Sequence, residues 1–138
     1  MNFLLDTDAV SEWVKPRPNL GLIRWMESVD EDRTFLSVIT LAELRHGVER
    51  LASGARRNRL EHWLQRELSV RFEGRILPVD EKIAEAWGRN VARSESSGRP
   101  MGAMDAFLAA TANVHQLTLV THDASHFPLL KTILNPWT

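Results

Sequence analysis

At 138 residues, 43% of them hydrophobic and 25% charged, the chain has the size of one domain spanning residues 1–138, with one continuous core and one site. A formal net charge of -1 excludes the strong positive field of a general nucleic-acid binder, so any contact with nucleic acid must come from a local patch. With no cysteine, disulfides, thiolate zinc sites and thiol nucleophiles are excluded. Because the N-terminus lacks the pattern of a signal peptide and no stretch approaches the ~20 apolar residues needed to span a bilayer, a cytoplasmic, membrane-free protein is expected.

In chain order, the first apolar run, Asn2–Leu5, reads as a strand that delivers Asp6 at its end. Lys15-Pro16-Arg17-Pro18 is a break, and Thr34–Val38 is the second strand. In Thr40–Leu51 the spacing of Leu41, Leu44, Val48 and Leu51 predicts a helix with Glu43, His46, Gly47 and Arg50 nearer its wet face. After Ser53-Gly54, Arg56–Phe72 repeats the pattern through Leu60, Trp63, Leu64 and Leu68. A third strand is expected over Arg75–Val79, followed by an amphipathic helix over Glu81–Arg93. Beyond the break Ser96–Pro100, Ala106–Val114 is apolar almost all round, which suits a helix packed on a sheet and started by Asp105. Strands at Leu117–Thr121 and Lys131–Leu134 complete the series. Strands separated by helices imply an α/β domain with a mainly parallel sheet, since parallel neighbours need crossover connections.

In such sheets ligands gather beyond the carboxyl ends of the strands. Asp6 and Asp123 each follow a strand, Glu43 lies in the first turn of the helix leaving the second strand, and Asp105 opens the helix that leads to the strand before Asp123. Four acids far apart in sequence are therefore expected on one rim. Like charges so placed repel one another unless a cation neutralises them. All-oxygen ligation favours Mg2+ or Mn2+, and such a site suits phosphodiester hydrolysis by a metal-activated water. Each acid also has a structural reading. Asp6 fits a helix cap, Thr40 to Glu43 a capping box, Asp105 an early-turn acid and Asp123 an Asx turn. Four caps falling on one rim is the less economical account.

The segments Leu4–Glu12, Leu36–Gly47, Gly74–Asp80, Asp105–Ala112, Leu117–Asp123 and Asn135-Pro136-Trp137 together resemble the PIN-domain ribonucleases, in particular the VapC and FitB toxins of bacterial type II toxin–antitoxin systems. The resemblance implies a three-layer α/β/α domain with four to five strands. It also implies metal-binding acids at Asp6, Glu43, Asp105 and Asp123, and a hydroxyl at Thr121 that holds the metal's water shell or the last acid. The activity it implies is RNA cleavage, and the partners are a cognate antitoxin that wraps the chain and blocks the site, and a second copy in a homodimer. Two positions depart from the pattern: Asp8 stands where such relatives usually carry Asn and adds a negative charge near the site, and His126 stands near a position that is often acidic.

Arg45, His46, Arg50, Arg56, Arg57 and Arg59 offer a basic face for RNA or simply for solvent. His122 and His126 read as ordinary loop histidines, because two histidines without a third ligand are a weak metal signal. Trp13, Trp25, Trp63 and Trp87 fit the core better than a partner groove. Asp6-Thr7-Asp8 also resembles the opening of haloacid-dehalogenase-type phosphatases, in which Asp6 would attack phosphorus and Asp8 act as acid and base. A non-catalytic module that binds an antitoxin is the remaining alternative.

Overall fold

A computed structural model describes residues 1–138. Its strands are short, two to four residues each: β1 (Phe3–Leu5), β2 (Thr34–Ser37), β3 (Ile76–Leu77), β4 (Thr118–Val120) and β5 (Ile133–Leu134). They form one sheet in the order β3-β2-β1-β4-β5, parallel throughout. β1 is central, with Phe3 opposite Thr34 on one side and Thr118 on the other.

Between β1 and β2 run α1 (Thr7–Glu12) and α2 (Leu20–Ser28); between β2 and β3 run α3 (Val38–Glu49), α4 (Ala55–His62), a π-helical stretch (Trp63–Leu68) and α5 (Ser69–Arg71). The crossover to β4 is made by α6 (Glu81–Ser96) and α7 (Ala103–His115), and a 3-10 turn (Ala124–His126) lies in the β4–β5 connector.

Alternation along the strands divides the core into two. Leu5, Leu36 and Val120 project to the side of Val10, Leu22, Leu44, Leu64 and Phe72, while Leu4 and Leu119 project to Leu108, Ala109 and Ala112 of α7. The result is the expected three-layer α/β/α arrangement, with α1 to α5 on one face and α6 and α7 on the other. Burying each such large side chain contributes roughly 1.5–3 kcal/mol. The alanines of α7 let that helix approach the sheet closely, and its one buried hydroxyl, Thr111 Oγ1, donates to the Phe107 carbonyl at 2.8 Å. Trp87 of α6 stacks on Phe107 with ring centroids 5.3 Å apart.

Several boundaries differ from expectation. Every strand is shorter by one to three residues, although ladder bonds extend past the ends, as in Leu36 N to Arg75 O (2.9 Å) and Thr121 N to Leu134 O (3.1 Å). α3 starts two residues before Thr40, because Ser37 is its cap and accepts from Ile39 N at 3.0 Å. Thr40 is therefore an internal, fully buried helix residue, the capping box does not form, and Glu43 lies in the second turn. α6 continues to Ser96, and α7 begins at Ala103, so Asp105 sits inside its first turn. The sequence reading has no counterpart for α2, whose N-terminus is overlaid by the chain's last residues: Asn19 Nδ2 donates to Thr138 O at 2.9 Å and Gly21 N to Thr138 Oγ1 at 3.2 Å.

Candidate active site

Five carboxylates line one cleft of about 60 Å³ at the carboxyl edge of the sheet: Asp6, Asp8, Glu43, Asp105 and Asp123. Four are the acids singled out in the sequence. The fifth, Asp8, reads in the sequence as an extra charge nearby and, in the phosphatase alternative, as the acid and base.

Asp6 is 5% exposed, directly after the central strand. Its Oδ1 accepts from Ala9 N at 2.7 Å and so caps α1. The capping role and the site role thus fall on one side chain. Burial pushes its carboxyl up to about 6, while the hydrogen bonds from Thr121 and Ala9 pull the other way and the charge of Asp8 adds to the rise. Thr121 is fully buried; its Oγ1 accepts from Asp123 N at 3.0 Å, leaving its proton for Asp6. It ties the acid after β1 to the acid after β4.

Glu43 reaches the cleft from α3, and its Oε1 accepts from the Thr7 hydroxyl at 2.5 Å. Thr7 Oγ1 also lies 3.2 Å from Thr40 Oγ1, so α1 and α3 are joined through hydroxyls behind the acids. Asp8 is pushed up first by burial, then by the hydrogen bond it shares with Asp123 and by the charges of Asp123 and Glu43; His122 opposes this. Asp105 is raised mainly by burial, with Glu43, Asp8 and Asp123 adding to the effect and His126 opposing it.

Neither loop histidine is a bystander, contrary to the sequence reading. His126 Nδ1 lies 3.6 Å from Asp105 Oδ2, and His122 Nε2 lies 3.6 Å from Asp123 Oδ2. The His122 ring further packs at a tilt of 38° against Trp137, with centroids 4.7 Å apart. Ligand atoms of Asp8, His122 and Asp123 lie within 4.8 Å of one another. The only sequence signal for these roles is adjacency to Asp123, which is not enough to fix a loop's direction.

The tryptophans divide as well. Trp25 packs edge-on to Phe3 and Trp13 to Phe72, whereas Trp63 lines an open groove between α1, α3 and α4. Of the basic face, Arg45 pairs with Glu61 at 2.8 Å and Arg57 with Glu49 at 2.8 Å, while Arg56 and Arg59 line that same groove.

Crowded carboxylates, with Asp6, Asp8 and Asp105 of raised proton affinity, offer oxygen donors that fit a hard divalent cation. A parallel three-layer domain with such an acidic cleft beyond the carboxyl ends of its strands falls in the class of α/β domains that gather acids at one sheet edge. The chain belongs to the PIN-domain family, whose model matches residues 3–129. It is 38% identical over 135 residues to toxin FitB of Neisseria gonorrhoeae, covering 97% of each chain. Identity to VapC ribonuclease Y4jK of Sinorhizobium fredii is 33% over 135 residues, covering 97% of this chain and 96% of the relative. Among solved structures, one of FitAB bound to an IR36 DNA fragment superposes with a TM-score of 0.91 at 36% identity, covering 99% of this chain and 96% of the other.

Proposed function

We propose that this chain is a metal-dependent endoribonuclease that acts as the toxin of a toxin–antitoxin pair. The observation that carries this reading is the single cleft lined by five acids, in a chain that shares 38% identity with a toxin and 33% with a VapC ribonuclease over nearly its whole length.

Asp6, Glu43, Asp105 and Asp123 would hold Mg2+ or Mn2+, with Asp8 adding to the negative potential. Bound there, the ion supplies a Lewis acid for the phosphoryl group and a water of lowered pKa. The protein's own groups do the positioning. Thr121 holds the Asp6 carboxylate and the Asp123 backbone, Thr7 holds Glu43, and His126 faces Asp105. No covalent intermediate is required. The phosphatase alternative needs a lysine in the cleft and leaves Glu43 idle; no lysine lines the cleft, and Glu43 does. A purely non-catalytic role leaves five acids gathered for no purpose.

The partners that fit are single-stranded or looped RNA, a cognate antitoxin and a second copy in a homodimer. Support for an antitoxin comes from the groove of about 570 Å³ that shares Thr7 and Glu43 with the cleft and is walled by Val14, Leu44, Val48 and Trp63, so that a segment seated there ends at the acids. No helix is long and apolar enough to cross a membrane.

The test is to purify the chain free of any partner, strip metal with chelator, and assay a mixed structured RNA with Mg2+ or Mn2+ restored, beside Asp6→Asn. Cutting that returns with metal and is absent in the variant is expected. An Asp6→Asn protein that cuts at the wild-type rate would overturn the assignment of the site.

A further inference from the structure

We propose that a cationic hollow next to the acidic cleft, built from α6, α7 and the β4–β5 connector, holds the backbone of the RNA strand flanking the bond to be cut. The position of the strand rests on the nuclease reading above; the binding itself does not.

The hollow measures about 490 Å³. Arg89 and Arg93 come from α6 and Lys131 from the connector, and no carboxylate lines it. Arg93 and Lys131 form no ion pair, and Arg89 meets only Glu85, at 3.9 Å with both side chains about two-thirds exposed. Such a pair is too loose and too wet to neutralise the arginine. Three cations around an acid-free hollow, in a chain of net charge -1, concentrate positive potential there. The floor is apolar, with Ala109 2% and Leu130 9% exposed. At the rim, Asn90 Nδ2 donates to Asn113 Oδ1 at 3.0 Å, which leaves the Asn90 carbonyl and an Asn113 N–H without a protein partner. Cations for phosphate, an apolar floor for a base and a free donor and acceptor for its edge are what a nucleotide strand uses.

The hollow and the cleft share no lining residue, but two elements run from one to the other. On α7, Asp105, Ala109 and Asn113 recur every four residues and so share one face; the first lines the cleft and the other two line the hollow. At 1.5 Å rise per residue the hollow begins about 6 Å along the helix from Asp105. On the connector, His126 and Phe127 line the cleft, and Leu130 and Lys131 line the hollow. The placement also resolves an electrostatic difficulty. Five carboxylates repel a polyanion, so attraction must come from groups close to them but outside their cluster.

The experiment measures binding of a fluorescein-labelled single-stranded RNA of about a dozen nucleotides in chelator, so that none is cut, by anisotropy at several salt concentrations. The combined variant Arg89→Gln, Arg93→Gln, Lys131→Gln is expected to bind at least about tenfold more weakly. Its plot of log affinity against log salt should be shallower by about 0.7 for each phosphate no longer neutralised, about 2 in all. A control that removes the same charge elsewhere, Arg24→Gln, Arg33→Gln, Arg66→Gln, is expected to bind as the wild type does. With Mg2+ or Mn2+ restored, the hollow variant should raise KM for this RNA and leave kcat unchanged. Equal affinity and slope in variant and wild type, or an equal loss in the control, overturns the proposal. So does a variant that loses mass by sedimentation yet keeps its RNA affinity, which would make the face an interface between copies of the chain. A wild type that binds RNA through these residues and never cuts it would sink the nuclease reading and leave this one standing.

Discussion

Asp6 shows how a cap and a site acid can be one residue. Its Oδ1 holds the first turn of α1 through Ala9 N, and its burial raises its carboxyl from an ordinary 3.8 to about 6. The sign of the consequence follows from linkage. Below 3.8 the group is neutral in both folded and unfolded chains and costs nothing; between 3.8 and 6 the folded chain keeps a proton that the unfolded chain releases, so stability falls as pH rises. Above 6 the full cost applies, about 3 kcal/mol at 1.36 kcal/mol per pH unit. Asp6→Asn keeps an oxygen for Ala9 and removes the charge. In metal-free buffer at pH 7.5 it should be more stable than wild type by up to about 3 kcal/mol, with the gap closing by pH 4. Urea unfolding across that range checks this, and a pH-independent gap would refute it. Thr121→Val removes the hydroxyl that donates to Asp6. It should destabilise by about 1–3 kcal/mol and move the rise of metal-dependent cleavage to higher pH, with Thr121→Ser restoring both; a profile unchanged in Thr121→Val would detach the hydroxyl from the site. The acids themselves were legible in the sequence because each follows a strand or sits near the start of a helix. The hydroxyls of Thr7 and Thr40 were not, because α3 is capped by Ser37 and only that register turns Thr40 inward towards Thr7.

At the scale of elements, periodicity located α3, α4, α6 and α7 but not their ends. Arg56–Phe72 carries an unbroken apolar pattern, so nothing in it marks the π-helical stretch Trp63–Leu68. α2 went unread although its apolar residues Leu22, Trp25 and Met26 are suitably spaced, and what holds it in place is long-range. Gly21 lies where a Cβ would come within 2.5 Å of Pro136 O and of Thr138 Cγ2. Only glycine admits the C-terminal segment at that distance. Gly21→Ala should therefore cost roughly 1–3 kcal/mol through forced displacement of backbone. Because Trp137 of that segment packs against His122, the same change should alter tryptophan emission and reach the cleft through the histidine beside Asp123. Urea unfolding followed by fluorescence measures both effects; wild-type stability with an unshifted spectrum would show that the segment does not hold α2.

The three-layer arrangement was legible for the molecule as a whole because strand and helix patterns alternate, and a parallel sheet then places every strand end on one side. Which acids touch was not legible, since that depends on side-chain directions in the β4–β5 connector. The assembled charge distribution has a consequence that no single residue carries. Asp6, Asp8 and Asp105 are all raised, so the metal-free cleft retains protons at pH values where isolated carboxylates have lost them. A divalent cation competes with those protons. Its affinity should rise with pH through about 6, where Asp6 ionises, by up to tenfold per pH unit for each proton displaced. Mn2+ should accordingly raise the melting temperature more at pH 7.5 than at pH 5.5. Calorimetric titration of Mn2+ at pH 6, in two buffers of different ionisation enthalpy, should give different apparent heats, because protons leave the protein as the ion enters. Asp8→Asn removes one of the raised acids, and should release fewer protons per ion bound. Identical heats in both buffers would mean that the carboxylates are already ionised together in the free protein, and the electrostatic account of the cleft would fail.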